Sequence, residues 1–414
     1  AAYDVFGNGK TALKFNWGRY LAYAANDAPY TSTNPGASIV RNVQNRNWQD
    51  SNGNLVVDCN LLNPAAQNTA ATGGDVCGAA VGPAANFGSL GAAPTVSPEV
   101  LSGWGVRPHD NDWTATVQQQ IMPRVSGEFS YTHRRWHGFF VNTDTSRDPA
   151  TAFESYTLTA PTDSRLPNGG GYPITVLVPK TAGASSTLYT NETDFGPERK
   201  STWDGFDITF NARLRQGLTT QVGTSTGRAF VDNCDTATNY SLLGGFGGTT
   251  LVGPDPRGCH NVEPWQTTIR GLASYTVPKI DVLVSTVIRS QPPLPITATW
   301  SVPNSVILAA LGHLPPGALA TGRTNIPITD NVNRLYASNR RTQVDMRFAK
   351  IVRFGKTRTN IGVDLYNLLN TNYATAYNGT YLYNTDNTPR PAGWGTPTGI
   401  YTPRFVRLNF TFDF

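Results

Sequence analysis

The chain has 414 residues, with 40 Gly, 29 Pro, 11% aromatic and 15% charged residues, and a formal charge of +5. Such a turn-rich, weakly charged composition, polar mainly through Asn, Thr, Ser and Gln, fits a β protein and excludes a disordered or long-helical one. The small charge, without a Lys/Arg block, leaves no nucleic-acid footprint; no run of about 18 apolar residues offers a membrane helix, which keeps a strand-built membrane wall open.

In chain order, Ala1-Ala2-Tyr3-Asp4 shows neither the basic start nor the apolar core of a secretory leader, so the expectation is a matured chain or a piece of a longer one. Residues 5–10 read as a tight turn whose earlier strand lies upstream, so that the chain begins in the middle of a sheet. Over 11–20, Leu13, Phe15 and Trp17 alternate with Lys14, Asn16 and Gly18, the period of a strand with one oily and one wet face. Weaker alternation covers 113–121, and over 125–132 Val125, Gly127, Phe129 and Tyr131 oppose Ser126, Glu128, Ser130 and Thr132. The clearest case is 201–214, where Phe206, Ile208, Phe210, Ala212 and Leu214 share one side and Trp203, Gly205, Asp207, Thr209, Asn211 and Arg213 the other. Further strands are expected at 218–228, 266–276, 282–289, 342–351, 358–365 and 404–414, about ten in all, each near the length a tilted strand needs to cross a bilayer.

The connections alternate between very short, at 122–124, 215–217, 277–281 and 354–356, and very long, at 22–111, 138–200, 230–264, 290–341 and 368–403. Short turns on one rim and long loops on the other are the pattern of an outer-membrane barrel with periplasmic turns and extracellular loops. Cys59 with Cys77 and Cys234 with Cys259 fall as two local pairs in long loops, which suggests two loop disulfides in an oxidising compartment; neither pair has metal-site spacing. The alternating faces make Asp207, Asn211, Arg213, Arg270, Arg347, Arg358 and Asp364 the residues expected to face a lumen or plug.

Other motifs have a plainer alternative beside them. Asp50, Asn52, Asn54 and Asp58 place oxygens at alternate positions as a calcium loop does, but the glycine of an EF-hand is misplaced and its terminal glutamate is missing, and a tight Asn/Gly turn before Cys59 explains them as well. His133, Arg134, Arg135, Trp136 and His137 form either a substrate-contacting rim or, with more support, an interfacial girdle with Arg reaching for lipopolysaccharide phosphates. Gly223 to Gly227 matches the letters of a nucleophile elbow without the helix one requires, and Asn168 to Gly171 is a flexible turn.

Tyr3-Asp4-Val5-Phe6-Gly7-Asn8-Gly9-Lys10-Thr11, Arg347-Phe348-Ala349-Lys350-Ile351-Val352-Arg353-Phe354-Gly355-Lys356, Asp364-Leu365-Tyr366-Asn367-Leu368-Leu369-Asn370 and the closing Arg404 to Phe414 resemble TonB-dependent outer-membrane receptors. Within these the chain is similar to the large Oar-like group carrying a carboxypeptidase-regulatory-like domain, with Trp48 to Cys59, Gly103 to Pro108 and Arg165 to Gly171 looking like its loop signatures. The resemblance implies about ten strands of a 22-stranded barrel, with the plug domain and the N-terminal region that contacts TonB outside this sequence. It also implies that Leu408, Phe410, Phe412 and Phe414 form a terminal strand read by the barrel-assembly machinery.

The expected function is therefore TonB-dependent uptake of an unidentified ligand at the cell outer membrane, this chain supplying barrel wall and extracellular loops, with outer-membrane lipid and lipopolysaccharide as its surroundings. No enzymatic role, cofactor or nucleic-acid partner is expected. The rivals are a passive porin or adhesin barrel and, with less support, an omptin-like surface protease using His133, His137, Asp144 and Asp148.

Overall fold

The computed structural model describes residues 1–23, 45–80, 95–145, 147, 151–181, 187–214, 217–235, 259–316, 318–328, 335–336, 339–355, 357–383, 389–390 and 393–413. The expected terminal Phe414, and Asp148, lie outside them.

The protein is all-β, built on a 12-stranded antiparallel sheet. Its strands are β1 (Ala2–Asp4), β2 (Thr11–Leu21), β3 (His109–Met122), β4 (Val125–His137), β5 (Lys200–Arg213), β6 (Thr219–Asp232), β7 (His260–Val262), β8 (Gln266–Val277), β9 (Val282–Gln291), β10 (Arg341–Phe354), β11 (Thr357–Tyr366) and β12 (Phe405–Asp413). Each strand pairs with the next in sequence, except that β6 pairs with both the short β7 and β8. All ten expected strands are present, most of them longer than the alternation indicated: the one read over 113–121 runs from His109 to Met122. Their lengths, from 9 to 14 residues, meet or exceed what a tilted bilayer crossing requires.

The short connections are hairpin turns with the backbone such turns demand. Between β3 and β4, Pro123 presets the first central dihedral and Arg124 takes φ +69° at the second, a conformation glycine accepts more readily than arginine. Between β10 and β11 the positive φ falls one position earlier, on Gly355 at φ +57°, the first residue of the turn. Residues 5–10 form the expected turn, and the strand before it is present as the three residues of β1.

Register places the sheet's two faces in opposite environments. Phe15, Val117, Phe129, Ile208, Val222, Ile269, Ile288, Phe348, Val363 and Leu408 trace one face across all ten long strands, and each is more than a third exposed. Phe206, Ile208 and Phe210 therefore sit on an uncovered apolar surface and in no sealed core.

The principal buried core lies in the long loops instead. Strands Phe153–Thr159 and Pro173–Pro179 form a hairpin whose inward residues Tyr156, Leu158, Ile174, Val176 and Val178 alternate with exposed ones, the pattern of a half-buried sheet. They join one apolar cluster with Trp300, Val302, Ile307 and Ile326 from the 292–340 connection and Tyr381 and Trp394 from the 367–404 connection. The 292–340 connection also carries helix α1 (Asn304–Leu311), which stops at Gly312, where φ +87° lets its N–H reach the Leu308 carbonyl oxygen. Strand Thr299–Pro303 pairs with Arg323–Pro327 from its own loop and with Thr380–Tyr383 from the next, so backbone as well as side chains unite these loops in a single cap.

Candidate functional site

The expected lumen residues all fall on the face opposite the apolar band. Asp207 pairs in register with Ser225, Ser225 with Thr268, Arg270 with Arg289, and Arg347 with Asp364, so polar residues recur across this face from β5 to β12, interrupted by apolar ones on β8 and β9. Two groups of residues on it are chemically distinct.

One group closes on itself. Asp364, nearly buried, accepts hydrogen bonds from the Arg407 guanidinium at 3.0 Å and the Asn409 amide at 2.7 Å, while Arg347 donates to the Asn409 side-chain oxygen at 2.8 Å. Arg347 Nε also stands 3.7 Å from Asp364 Oδ1. The sequence singled out Arg347 and Asp364, and the structure brings them together. At the short-turn rim Arg358 faces Arg353 in register, and Arg353 is paired with Asp281 at 2.8 Å. Asn211 and Arg213 lie lower on β5, toward that same rim, and approach neither group.

The other group is open. A cavity of about 650 Å³ is lined on the polar face by Asp207, Thr209, Ser225, Thr268, Arg270 and Arg289, with Leu272 and Val287 as apolar neighbours. Four residues before Asp207 on the same face of β5, the Trp203 ring lies over Gly205 and Gly227; a Cβ at either glycine would collide with the indole. Asp207 and Arg270 were legible in the alternation of their strands, whereas Arg289 and the apolar pair Leu272 and Val287 were not. The strand at 282–291 is apolar on both faces, with Val284 and Ile288 on one side and Leu283 and Val287 on the other, so its alternation carried no inward direction.

The basic and aromatic run on β4 does not form one patch. His133 bonds Asp204 at 2.8 Å on the apolar-face side, with the Tyr131 hydroxyl donating to the same carboxylate at 2.7 Å, while Arg134 turns to the polar face and donates to Asp110 at 2.7 Å. His137 pairs with Glu198 at 2.9 Å. Each of these two histidines thus has its own carboxylate partner.

Both disulfides form as expected, Cys59 with Cys77 and Cys234 with Cys259. The first closes a small module in which Asp75, fully buried, accepts from the Asp58 and Ser51 backbone N–H groups and the Trp48 indole. Led by the Asp58 N–H, these donors hold the Asp75 carboxyl below the usual carboxylate range. Around it, Asp50 caps the turn by accepting from Gly53 N–H and Leu55 N–H, and Asp58 accepts both the Asn52 and Asn54 side-chain amides. Those amides hold their own oxygens toward the backbone N–H groups of Asn54 and Val56, so the four residues proposed as calcium ligands here form a tight Asn/Gly turn closed by N–H donors. Among the described residues no group of three or more His, Cys, Asp or Glu stands where it could hold a metal ion.

In the cap, Trp394 is the keystone. Its indole N–H donates to the Thr297 carbonyl oxygen at 2.9 Å, its ring packs on Tyr381, and the Arg165 guanidinium lies 4.6 Å over it while donating to its carbonyl oxygen at 3.0 Å. Arg165 in turn pairs with Asp163, holding that carboxyl low. Apart from Arg165 with Asp163 and Trp394 with Tyr381, these contacts join residues 97 or 229 positions apart on different loops, which is why the sequence did not show the cap.

No family model matches this chain, and no curated protein does. Among solved structures the chain is similar to the outer membrane transporter YddB from Escherichia coli, with a TM-score of 0.41 and 11% identity over 99% of this chain. The chain spans 39% of the length of that structure.

Proposed function

We propose that this chain is a segment of an outer-membrane transport wall, its apolar face in lipid and its polar face lining a solute path. The observation that carries this reading is the uncovered apolar band running through all ten long strands. In water a band of that extent would drive aggregation, whereas a bilayer's hydrocarbon covers it, and the strands within the sheet satisfy one another's backbone, leaving only its two outer edges to be paired. The exposed ladder of polar residues behind it suits water.

Within that reading the chain serves TonB-dependent uptake: the cap captures the solute outside the cell and the polar face guides it, with energy delivered through TonB contacts elsewhere in the receptor. Leu408, Phe410 and Phe412 on the open edge strand β12 offer the barrel-assembly machinery an apolar strand to pair with, and Arg135, two residues from the long-loop end of β4 on the apolar-face side, suits the lipopolysaccharide headgroup layer. A wall of this kind needs no catalytic group; His133 and His137 pair with separate carboxylates, Asp204 and Glu198.

Labelling tests the wall directly. The chain is expressed to the bacterial envelope with Ile208→Cys or Asp207→Cys, each carrying a fluorophore, in bilayers containing lipid-chain quenchers. The expected result is strong quenching at 208 and weak quenching at 207. Equal quenching at both positions, or recovery of the chain from the aqueous fraction, overturns the proposal.

A further inference from the structure

Arg270 and Arg289 stand directly opposite each other on β8 and β9. Like charges at such a pair repel, with Cβ atoms about 5 Å apart. The other cross-strand arginine pair of the sheet, Arg353 with Arg358, has Asp281 as a counter-charge, and Arg347 and Arg407 share Asp364. Among the described residues neither Arg270 nor Arg289 makes an ion pair or a side-chain hydrogen bond, although Asp207 lines the same cavity. Two exposed forks of donors thus converge over an apolar step made by Leu272 and Val287, which are also cross-strand partners, with Thr268, Ser225 and Thr209 hydroxyls beside them.

We infer that Arg270 and Arg289 form a binding site for a small solute that carries a carboxylate or phosphate group beside an apolar or flat body. Guanidinium forks match either anion in bidentate geometry, and an anion between them converts the repulsion into attraction. Leu272 and Val287 would take the solute's apolar part, and the hydroxyls its remaining polar edge. The occupant is a dissolved small molecule: the cavity's 650 Å³ lies in the usual range for such ligands, and the arginines sit four and two residues below the long-loop ends of their strands, within reach of the outside medium. The inference rests on the proposal that this face lines a solute path, and names the charge of the solute.

The test is calorimetric titration of the full chain, folded in detergent micelles at low ionic strength, with citrate, inorganic pyrophosphate and, as a neutral control, glucose. Citrate and pyrophosphate should bind and glucose should not; Arg270→Gln and Arg289→Gln should each weaken anion binding about tenfold or more, and the double variant should remove it. Arg270→Lys, which keeps the charge but not the fork, should lose less than Arg270→Gln, and Arg353→Gln, a charge loss at the far rim, should leave binding unchanged. Absence of anion binding in the unaltered chain, or an equal loss with Arg353→Gln, overturns the inference. The quenching experiment above reads the wall separately: quenching at 208 without anion binding sinks only the anion site, and anion binding without quenching sinks only the membrane wall.

Discussion

Replacing Trp394 tests whether the long loops share one core. The side chain is 2% exposed, and truncating a buried tryptophan costs about 3–5 kcal/mol from lost contacts and the cavity left behind. Its hydrogen bond to the Thr297 carbonyl oxygen adds about 1 kcal/mol, and the Arg165 guanidinium over the ring about 0.5–1 kcal/mol at a partly exposed site. These overlap in one residue, so Trp394→Ala should destabilise the cap by about 4 kcal/mol. Trp394→Phe, keeping ring bulk and losing the N–H, should cost about 1–2 kcal/mol. Hydrogen exchange followed by mass spectrometry reads the outcome segment by segment. If exchange occurs by cooperative opening of the cap, Trp394→Ala accelerates it by about two to three orders of magnitude together in 153–159, 173–179, 299–303 and 323–327. Strand β5 should be untouched. Acceleration confined to the neighbourhood of residue 394, with 153–179 unchanged, would refute the shared core.

Further tests address other parts of the molecule. Tyr156 is buried with its hydroxyl unpartnered among the described residues, and burial pushes its ionisation up to about 12; Tyr156→Phe should therefore stabilise the cap by about 1 kcal/mol or more, read as slower exchange in 153–159, and a loss of protection would contradict the assignment. Phe210→Arg on the apolar band should disfavour insertion into lipid vesicles by about 2–4 kcal/mol if the site lies near mid-bilayer, while Asn211→Arg beside it should be nearly neutral, as equilibrium folding into vesicles measures. Opening the Cys59–Cys77 bridge, which closes an 18-residue separation, by a double Ser substitution should release about 3 kcal/mol of constraint and expose 45–80 to chymotrypsin at Trp48, Leu61 and Leu62, with no effect on the sheet. Because the Asp75 carboxyl is held below its ordinary 3.8, its contribution to that module is complete above this value and is lost as pH falls through the lowered folded-state value. Trp48 fluorescence, reporting the indole bond to Asp75, should stay constant from neutral pH to below pH 5 and change only in stronger acid; a transition near neutrality would show that another group governs the loop.

The sheet was legible because its information is local. Phe206, Ile208 and Phe210 declare their face within five consecutive residues, and a strand with lipid on one side and water on the other keeps that declaration in every turn of the pleat. Asp364 and Arg347 were readable for the same reason, as polar residues in the wet phase of clear alternation. Their partnership was not, since it depends on the register between β10 and β11, which the two strand sequences do not state. Arg289 escaped notice because Val284, Val287 and Ile288 blur the two faces of β9. The cap escaped more completely: Tyr156, Trp300 and Trp394 are drawn from three connections, and no periodicity links residues that meet only after the sheet has brought the strand ends together.

A core held in common also restricts how such a rim can vary. If Trp394 were transplanted with its own connection alone, Trp300 and Val176 would be left facing water, and the donor segment would arrive with its apolar side bare. Altered recognition at this end of the molecule is then expected to arise by exchanging the whole three-part assembly, or by changing residues on its outer skin, and not by shuffling single connections.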